Sequence, residues 1–271
     1  MTEQTRQLPE YNKPPVEEVV VGVQFESLEH YTTVHPGLYW QTIKKDYPHT
    51  EDQLPLELAY ELFNEDKGQG ITHTLKNMLP LRRCWFVNEG KNSLVQVQPE
   101  RFLHNWRKIS GKEEYPRYEN IRQEFRKLWQ GFRRFVKKWN LGELKLNYWE
   151  LTYVNHIAEG EVWTSMGDIS RVLPLWSGST SGSYLPKPEN IKFDVKYAFS
   201  NELTRLHVKL EPRIRRLDSS KLLRLTLTAR GRLQSETEKK LLEKLDFGHE
   251  LIVQAFTDIT SPDAHKIWKR K

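Results

Sequence analysis

The stretch YENIRQEFRKLWQGFRRFVKKW, residues 118–139, predicts the helix around which the rest of the chain is organised. Its apolar residues recur at spacings of three and four, so at about 100° per residue they form one stripe, as in a helix that faces a core. The stripe consists of Ile121, Phe125, Leu128, Phe132, Phe135 and Trp139, with Trp129 and Val136 beside it. The opposite face is basic, with Arg122, Arg126, Lys127, Arg133, Arg134, Lys137 and Lys138 against Glu119 and Glu124.

The composition is that of a polar globular protein. Of 271 residues, 37% are hydrophobic and 29% are charged, and the formal net charge is +6. This length is enough for one large domain or two small ones with a real core. The positive charge favours a polyanionic partner only if it is concentrated on one surface. The distribution of the charge therefore matters more than its total.

Neither a membrane segment nor a signal peptide is expected, because no apolar run approaches the ~20 residues that span a bilayer. Cys84 is the single cysteine, which excludes an intrachain disulfide and a cysteine-rich metal site. We therefore expect a cytoplasmic protein without a membrane partner and without a bound metal or cofactor.

The first half of the chain is predicted to follow the order β-α-β-β-α-β. A flexible arm, residues 1–15, precedes it, and RFLHNWR (101–107) is interpreted as an extension of the third strand. A hairpin between two crossover helices is the split βαβ, or ferredoxin-like, arrangement, here over residues 16–160. Residues 49–80 give no clear prediction. The predicted strands are 16–26, 84–87, 93–98 and 146–157, and the helices are 36–45 and 118–139.

The second half predicts an antiparallel β-β-β-α unit over residues 191–271. Residues 161–190, rich in Ser, Gly and Pro, are predicted to be a surface loop. Apolar residues then alternate over 191–199, 206–210 and 223–229, as in a meander, before a helix over 236–258. Ser261-Pro262 has the residues of an N-cap and first position for a short last helix. The fold class is thus α+β, and the sequence leaves open whether the halves share one sheet or one domain.

No familiar catalytic motif is present. The chain lacks a P-loop, a GxGxxG after a strand and a GxSxG elbow. His249-Glu250 begins like a zinc-protease helix, but the residue four positions after His249 is Val253. We interpret His249 as a half-buried structural histidine and expect a non-catalytic protein.

The basic face of helix 118–139 is the first candidate binding surface. The structural alternative is that this face is simply exposed to solvent. The helix dipole favours cations in the last turn, where Lys137 and Lys138 lie. The number of cations exceeds that need, and a helix of this length can follow several phosphates of a nucleic acid. The candidate residues are Arg122, Arg126, Arg133, Arg134, Lys137 and Lys138.

The polar face of the meander is the second candidate, as an anion-binding site. Lysines that protect a sheet edge are the structural alternative. Like charges opposite one another destabilise a sheet, so such a face requires acidic groups or a ligand over it. The candidate residues are Arg205, His207, Lys209, Arg224 and Arg230.

A third group lies on the predicted central strand and its neighbour. Buried polar groups must be paired, so Glu150 is predicted to form an ion pair with Arg107, and Asn155 to hold a loop. The functional alternative is a ligand pocket lined by Trp106, Trp149 and Tyr153. The pocket candidates are Trp106, Arg107, Trp149, Glu150, Asn155 and His156.

Five blocks in order carry a family resemblance: YNKPPVEEVVVGVQFE, LVQVQPERFLHNWRK, YPRYENIRQEFRKLW, ELTYVNHI and LDFGHELIVQAFTDITSPDAHKIW. Together they resemble a sporadically distributed bacterial protein family of about this length that has no assigned activity. The resemblance implies a single full-length module. The patchy distribution implies carriage on mobile elements, with anti-phage or toxin–antitoxin loci.

These observations lead to one main functional hypothesis and two alternatives. The main hypothesis is a non-catalytic binding or accessory protein of a prokaryotic system, which recognises a protein or polyanionic partner through its basic surfaces. The first alternative is a nucleic-acid-binding module that uses helix 118–139. The second is an enzyme with an unfamiliar phosphoester or nucleotide site built from His156, His207 or Glu150.

Overall fold

A computed structural model describes residues 7–57, 59–61, 82–111, 113–177, 182–215, 218–234 and 237–271. Nine strands in these ranges form one sheet in the order β2-β3-β4-β5-β1-β6-β9-β8-β7. The strands are β1 (Val16–Phe25), β2 (His49–Gln53), β3 (Arg83–Val87), β4 (Ser93–Gln98), β5 (Arg101–Arg107), β6 (Leu146–Ala158), β7 (Phe193–Phe199), β8 (Thr204–Ile214) and β9 (Lys221–Arg232). The α-helices are α1 (His35–Ile43), α2 (Tyr118–Lys138), α3 (Glu238–Ile259) and α4 (Pro262–Ile267).

The fold is therefore mixed α and β, and its two halves share one sheet. The junction is the pairing of β6 with β9, in which Leu151 lies opposite Ala229. Strand β1 is central, between β5 and β6. Its alternate residues Val19, Val21 and Val23 are 0% exposed because the helices cover that face.

Helix α2 is observed where the periodicity predicts it, and its apolar stripe packs on β1 and β5. The ring centroids of Phe132 and Phe102 are 4.9 Å apart, and those of Phe132 and Phe25 are 6.0 Å apart. Tyr39 of α1 packs edge-on against Phe132 at 5.3 Å. Trp139 is the exception within the predicted stripe, because it follows the helix and is 43% exposed.

Helix α3 covers β6 and β9 at a distance that requires a glycine. A Cβ added at Gly248 would lie 2.4 Å from Cζ3 of Trp149, and Trp149 is 0% exposed. The indole therefore occupies the space that any side chain at position 248 would need. The short helix α4 begins as predicted, since the Ser261 hydroxyl accepts from the Ala264 amide at 3.1 Å.

The ferredoxin-like arrangement is not confirmed. Residues 101–107 form a separate strand, β5, which turns back after 99–100 and pairs with β1, so that His104 lies opposite Val21. In the split βαβ arrangement the hairpin strand 93–98 would lie directly beside β1, but in the described sheet β5 lies between β4 and β1. The short strand β2 was not predicted because its sequence, HTEDQ, has no apolar alternation.

Two predicted segments have more structure than expected. Residues 1–6 of the predicted arm lie outside the described residues, but the amides of Asn12 and Lys13 donate to the carbonyls of Lys269 and Trp268, both at 3.0 Å. The predicted loop 161–190 contains a short 3-10 helix, Met166–Arg171, and its residues 178–181 lie outside the described part.

Two helical glycines provide a test of this packing. We expect Gly248→Ala to lower the free energy of unfolding by about 2 kcal/mol or more, because the methyl group overlaps Trp149. At Gly131 of α2 an added Cβ meets only Arg134 Nη2, at 3.9 Å. Gly131→Ala should therefore raise the free energy of unfolding by about 0.5–1 kcal/mol through helix propensity alone. Urea unfolding measures the free energy of unfolding of each variant. An equal change in the two variants would contradict the proposed packing of α3.

Candidate functional site

The structure divides the basic face of α2 into two parts. In the N-terminal part, Arg122 donates to both carboxylate oxygens of Asp246, at 2.5 and 2.7 Å. Arg126 donates to Glu238 at 2.9 Å, and Arg133 lies 3.6 Å from the same carboxylate. These three arginines therefore join α2 to α3. The sequence did not reveal this role, because the acidic partners belong to a helix more than 100 residues away.

The C-terminal part of the same face remains available. Arg134, Lys137 and Lys138 are exposed and form no ion pair within the described ranges. Arg133, Arg134 and Lys137 border an open groove of about 600 Å³ between α2 and residues 140–146. Only this C-terminal part of the predicted basic face is free to bind a partner.

On the side of the sheet away from α2 and α3, three candidates from β8 and β9 converge on one carboxylate. Glu61 lies 2.5 Å from Arg205 Nη1, 2.6 Å from His207 Nε2 and 3.4 Å from Arg230 Nη1. Its side chain is only 3% exposed. Burial raises the pKa of Glu61, but His207, Arg205 and Arg230 lower it by more, so the net shift is downward. We call Arg205, His207 and Arg230 the Glu61 cluster. The acidic group that the meander face required is supplied by the chain itself.

Glu61 belongs to a segment that crosses this face of the sheet. The crossing segment consists of residues 54–61, of which residue 58 is outside the description. Two glutamines bind its main chain in the same way. Gln98 accepts from the Leu56 amide at 3.2 Å and donates to its carbonyl at 3.1 Å. Gln24 does so with Ala59, at 3.3 and 3.4 Å.

Arg101 connects the crossing segment with the strands beneath it. Its guanidinium donates to the Glu57 carbonyl at 3.1 Å and to the Gln24 side-chain oxygen at 2.5 Å. It also lies 4.0 Å from Glu150, which accepts from Arg230 at 3.0 and 3.2 Å. The side chain of Arg101 is 5% exposed, so the network is largely removed from water.

The predicted ion pair between Glu150 and Arg107 is wrong. Glu150 pairs with Arg230 because β9, rather than β5, presents its arginine directly opposite. Arg107 instead donates to the Lys91 carbonyl at 3.0 Å and places its guanidinium 5.5 Å from the ring centroid of Trp85.

Three further candidates lie apart from the Glu61 cluster. Lys209 pairs with Asp194 of β7 at 3.3 Å. Arg224 lies opposite His156 in the pairing of β9 with β6, three pairs beyond Leu227 and Tyr153. Burial lowers the pKa of His156 to about 4, with a further contribution from Arg224. His156 is therefore not placed to act together with His207.

The structure does not bring the residues of the predicted aromatic pocket together. Trp149 is sealed beneath α3, and Trp106 is 6% exposed and packs on Tyr115 at 5.6 Å. Tyr153 and Asn155, however, line a cavity of about 450 Å³. The cavity lies between α2, α3, the end of β6 and residues 8–16.

Three neutral side chains form a hydrogen-bonded chain in the wall of this cavity. The hydroxyls of Tyr115 and Tyr153 are 3.0 Å apart, and the Tyr153 hydroxyl is 2.9 Å from His249 Nδ1. The His249 ring is stacked on Tyr118 at 4.1 Å and 8°. Burial lowers the pKa of His249 to about 4. The interpretation of His249 as half-buried and satisfied is correct for Nδ1. The sequence did not reveal the cavity, because its wall comes from five separate segments.

A scan against protein-family models, a search of curated proteins and a search of solved structures each found no match to this chain. The bacterial family resemblance therefore stays a prediction. In the ranges that the structure describes, no three His, Cys, Asp or Glu side chains are grouped as metal ligands. No helix there is long and apolar enough to cross a lipid bilayer.

The lowered pKa of His249 predicts a pH dependence of stability. The unfolded histidine binds a proton near its ordinary pKa of 6.5, whereas the folded one does so only near 4. The unfolded state thus holds more protons between these values, so stability is lost as the pH falls from 6.5 towards 4. We expect the loss between pH 7.5 and 5 to be smaller in His249→Gln by about 1–2 kcal/mol. Urea titrations measure this difference, and parallel curves for the two proteins would contradict it.

Proposed function

We propose that this protein is a non-catalytic binding protein that recognises an extended acidic segment of a protein partner on the Glu61 cluster and the strands beside it. The observation that carries the proposal is the capture of a buried carboxylate, Glu61, by cations from two neighbouring strands. Following the family resemblance, we place it as an accessory component of a prokaryotic system.

The contacts of the crossing segment support a peptide-binding mode. Gln24 and Gln98 each bind both polar groups of one peptide backbone residue, so these contacts do not depend on the side chain bound. From Leu56 to Glu61 the segment passes from β4 to β9, across four strand spacings of about 4.8 Å each. Five residues reach at most about 17 Å, at about 3.4 Å per residue, so the segment must be nearly extended, and the contacting side chains span the remainder. The face therefore accommodates an extended chain.

The charges of the face select an acidic residue at one end of that chain. Arg101, Arg205 and Arg230 stand against the carboxylates of Glu61 and Glu150. Loss of Glu61 would take away the carboxylate that Arg205, His207 and Arg230 share, in a region with little water. Removal of one partner from a buried charge pair is costly, so the cluster strongly favours an anion in this position. In this arrangement the crossing segment acts as an internal competitor of the partner.

Only a binding role is assigned to His207 and Glu150 in this proposal. His207 holds Glu61, and Glu150 holds Arg230 and approaches Arg101. Each side chain is thus occupied by a charge partner of the network. The alternative of a phosphoester or nucleotide enzyme has less support in this geometry than the binding proposal.

Displacement of the crossing segment tests the proposal. In Glu61→Lys the new ammonium is repelled by the arginines, so the segment should leave the face. We expect a labelled peptide of sequence LPLELAYE, that of residues 54–61, to bind this variant at least about tenfold more tightly than wild type, because the tethered competitor is weakened. Fluorescence anisotropy measures the affinity. The peptide LPLELAYQ should bind at least about tenfold more weakly, since it lacks the anchoring charge.

The matched control is Glu57→Lys, which makes the same charge change at an exposed position of the same segment. It should bind the peptide no better than wild type does. Hydrogen exchange of residues 55–61 reports whether Glu61→Lys releases the segment. If the segment is released and neither peptide binds, or both bind equally, the proposal is incorrect.

A second candidate function is binding of a nucleic acid along the C-terminal half of α2. The specific observation is that Arg134, Lys137 and Lys138 form no ion pair within the described ranges, while Arg122 and Arg126 are paired with α3. A helix C-terminus stabilises about one or two cations. Arg134 and Lys137, which border the open groove, together with the exposed Lys138 exceed that need.

Substitution of these three cations by glutamine tests the second function. If a short DNA duplex binds here, we expect the slope of log K against log salt to lose about two to three units in magnitude, one per phosphate contact. Lys239, Lys266 and Lys269 are exposed elsewhere, and their substitution by glutamine changes the net charge equally. Equal slopes for the two triple variants would show that the duplex does not use α2.

A further inference from the structure

The cavity beside His249 is a second site, on the opposite side of the sheet from the Glu61 cluster. Its volume of about 450 Å³ falls within the range of small-molecule pockets. Tyr115, Tyr118 and Phe256 form aromatic parts of its wall, and Ile252 and Val253 form aliphatic parts. Flat, apolar walls of this kind favour a planar ring that can stack on them.

Asn155 provides a polar atom that the fold itself does not use. The residue is 2% exposed and lines the cavity. Its amide nitrogen donates to the Leu225 carbonyl at 3.2 Å, and its side-chain oxygen accepts no hydrogen bond from the described residues. This oxygen is therefore available to accept from a ligand in the cavity.

The chain Tyr115–Tyr153–His249 offers both a donor and an acceptor. If each hydroxyl donates towards His249 Nδ1, the neutral imidazole carries its proton on Nε2 and the Tyr115 oxygen can accept. If the chain runs the other way, the Tyr115 hydroxyl donates and Nε2 accepts. The described residues form a hydrogen bond with His249 at Nδ1 only, and Nε2 is left for a ligand. The chain can therefore match a donor and acceptor of the ligand in either order.

The interior of the cavity is uncharged. Burial raises the pKa of Tyr115 and Tyr153 and lowers that of His249 to about 4, so all three are neutral at physiological pH. The charged residues of the lining are Arg117, Lys271, Glu10 and Glu119, two of each sign, so their formal charges cancel. A charged ligand would lose its hydration without gaining a counter-charge in the interior.

We propose that this cavity binds an uncharged, planar aromatic molecule that carries both a hydrogen-bond donor and an acceptor. The aromatic walls stack on the ring, Asn155 accepts from the donor, and the Tyr115–Tyr153–His249 chain supplies the complementary group. This site does not depend on the Glu61 cluster or on the partner proposed for it.

The test uses the full-length protein and small probes that differ in charge. Indazole and 4-hydroxybenzamide are neutral and planar, and both carry a donor and an acceptor. We expect both to bind with a Kd of about 1 mM, as is usual for ligands of this size, in saturation-transfer NMR and calorimetry. The anion 4-hydroxybenzoate, similar in size to 4-hydroxybenzamide, should bind at least about tenfold more weakly.

Variants then locate the site. Val253→Phe fills the cavity and should abolish binding of both neutral probes. Tyr115→Phe and His249→Phe each remove one end of the chain and should weaken 4-hydroxybenzamide by about fivefold. Tyr148→Phe is the matched control, because Tyr148 belongs to the same strand as Tyr153, and its hydroxyl contacts Arg232 rather than the cavity.

The outcomes are distinct. Binding of the neutral probes that is lost in Val253→Phe and kept in Tyr148→Phe supports the proposal. The proposal is overturned if neither neutral probe binds at about 5 mM, well above the expected Kd. Equal binding of the benzoate, or binding unchanged by Val253→Phe, would also overturn it.

Discussion

Burial of one face of the central strands beneath α2 and α3 is the constraint on which the rest of the structure depends. The two helices have 21 and 22 residues, and each lies over different strands of one sheet. Gly248 lets α3 approach Trp149, while the Arg122–Asp246 pair joins the two helices at their sides. The basic residues of α2 are thus partly a consequence of packing. The arginines of α2 that pair with acidic residues of α3 are no longer available to a partner.

Among the described residues, no α-helix covers the other face of the same strands. A strand alternates its side chains, so each strand that is apolar towards the helices can be polar on the other side. The polar side chains near the centre of that face are buried all the same, and buried polar groups must be paired. The crossing segment meets this requirement for Gln24, Gln98 and Arg101. A surface that binds its own main chain by side-chain amides has the chemistry to bind another main chain.

Local patterns predicted most of the elements, and contacts between distant segments account for the failures. Helix α2 and strand β1 follow from periodicity, β4 from the turn residues that precede it, and β6 from a long run with apolar residues on both faces. The polar strand β2 has no such period, and the turn after β4 carries only Pro99 as a signal, so β5 was merged with its neighbour. Glu61 lies more than 140 positions from each of the three cations of the Glu61 cluster. Its cations were found because they alternate along strands; Glu61 was not, because no pattern surrounds it.

Strand β6 contributes to both proposed sites, and its position makes them independent. Glu150 points to the Glu61 cluster, whereas Tyr153 and Asn155 point to the cavity, because residues of opposite parity face opposite sides of a strand. The strand is hydrogen-bonded to β1 on one side and to β9 on the other over most of its length. A ligand on either face would have to shift both ladders to move the backbone beneath the other site. Since packed interiors resist such shifts, occupation of one site should leave the affinity of the other unchanged.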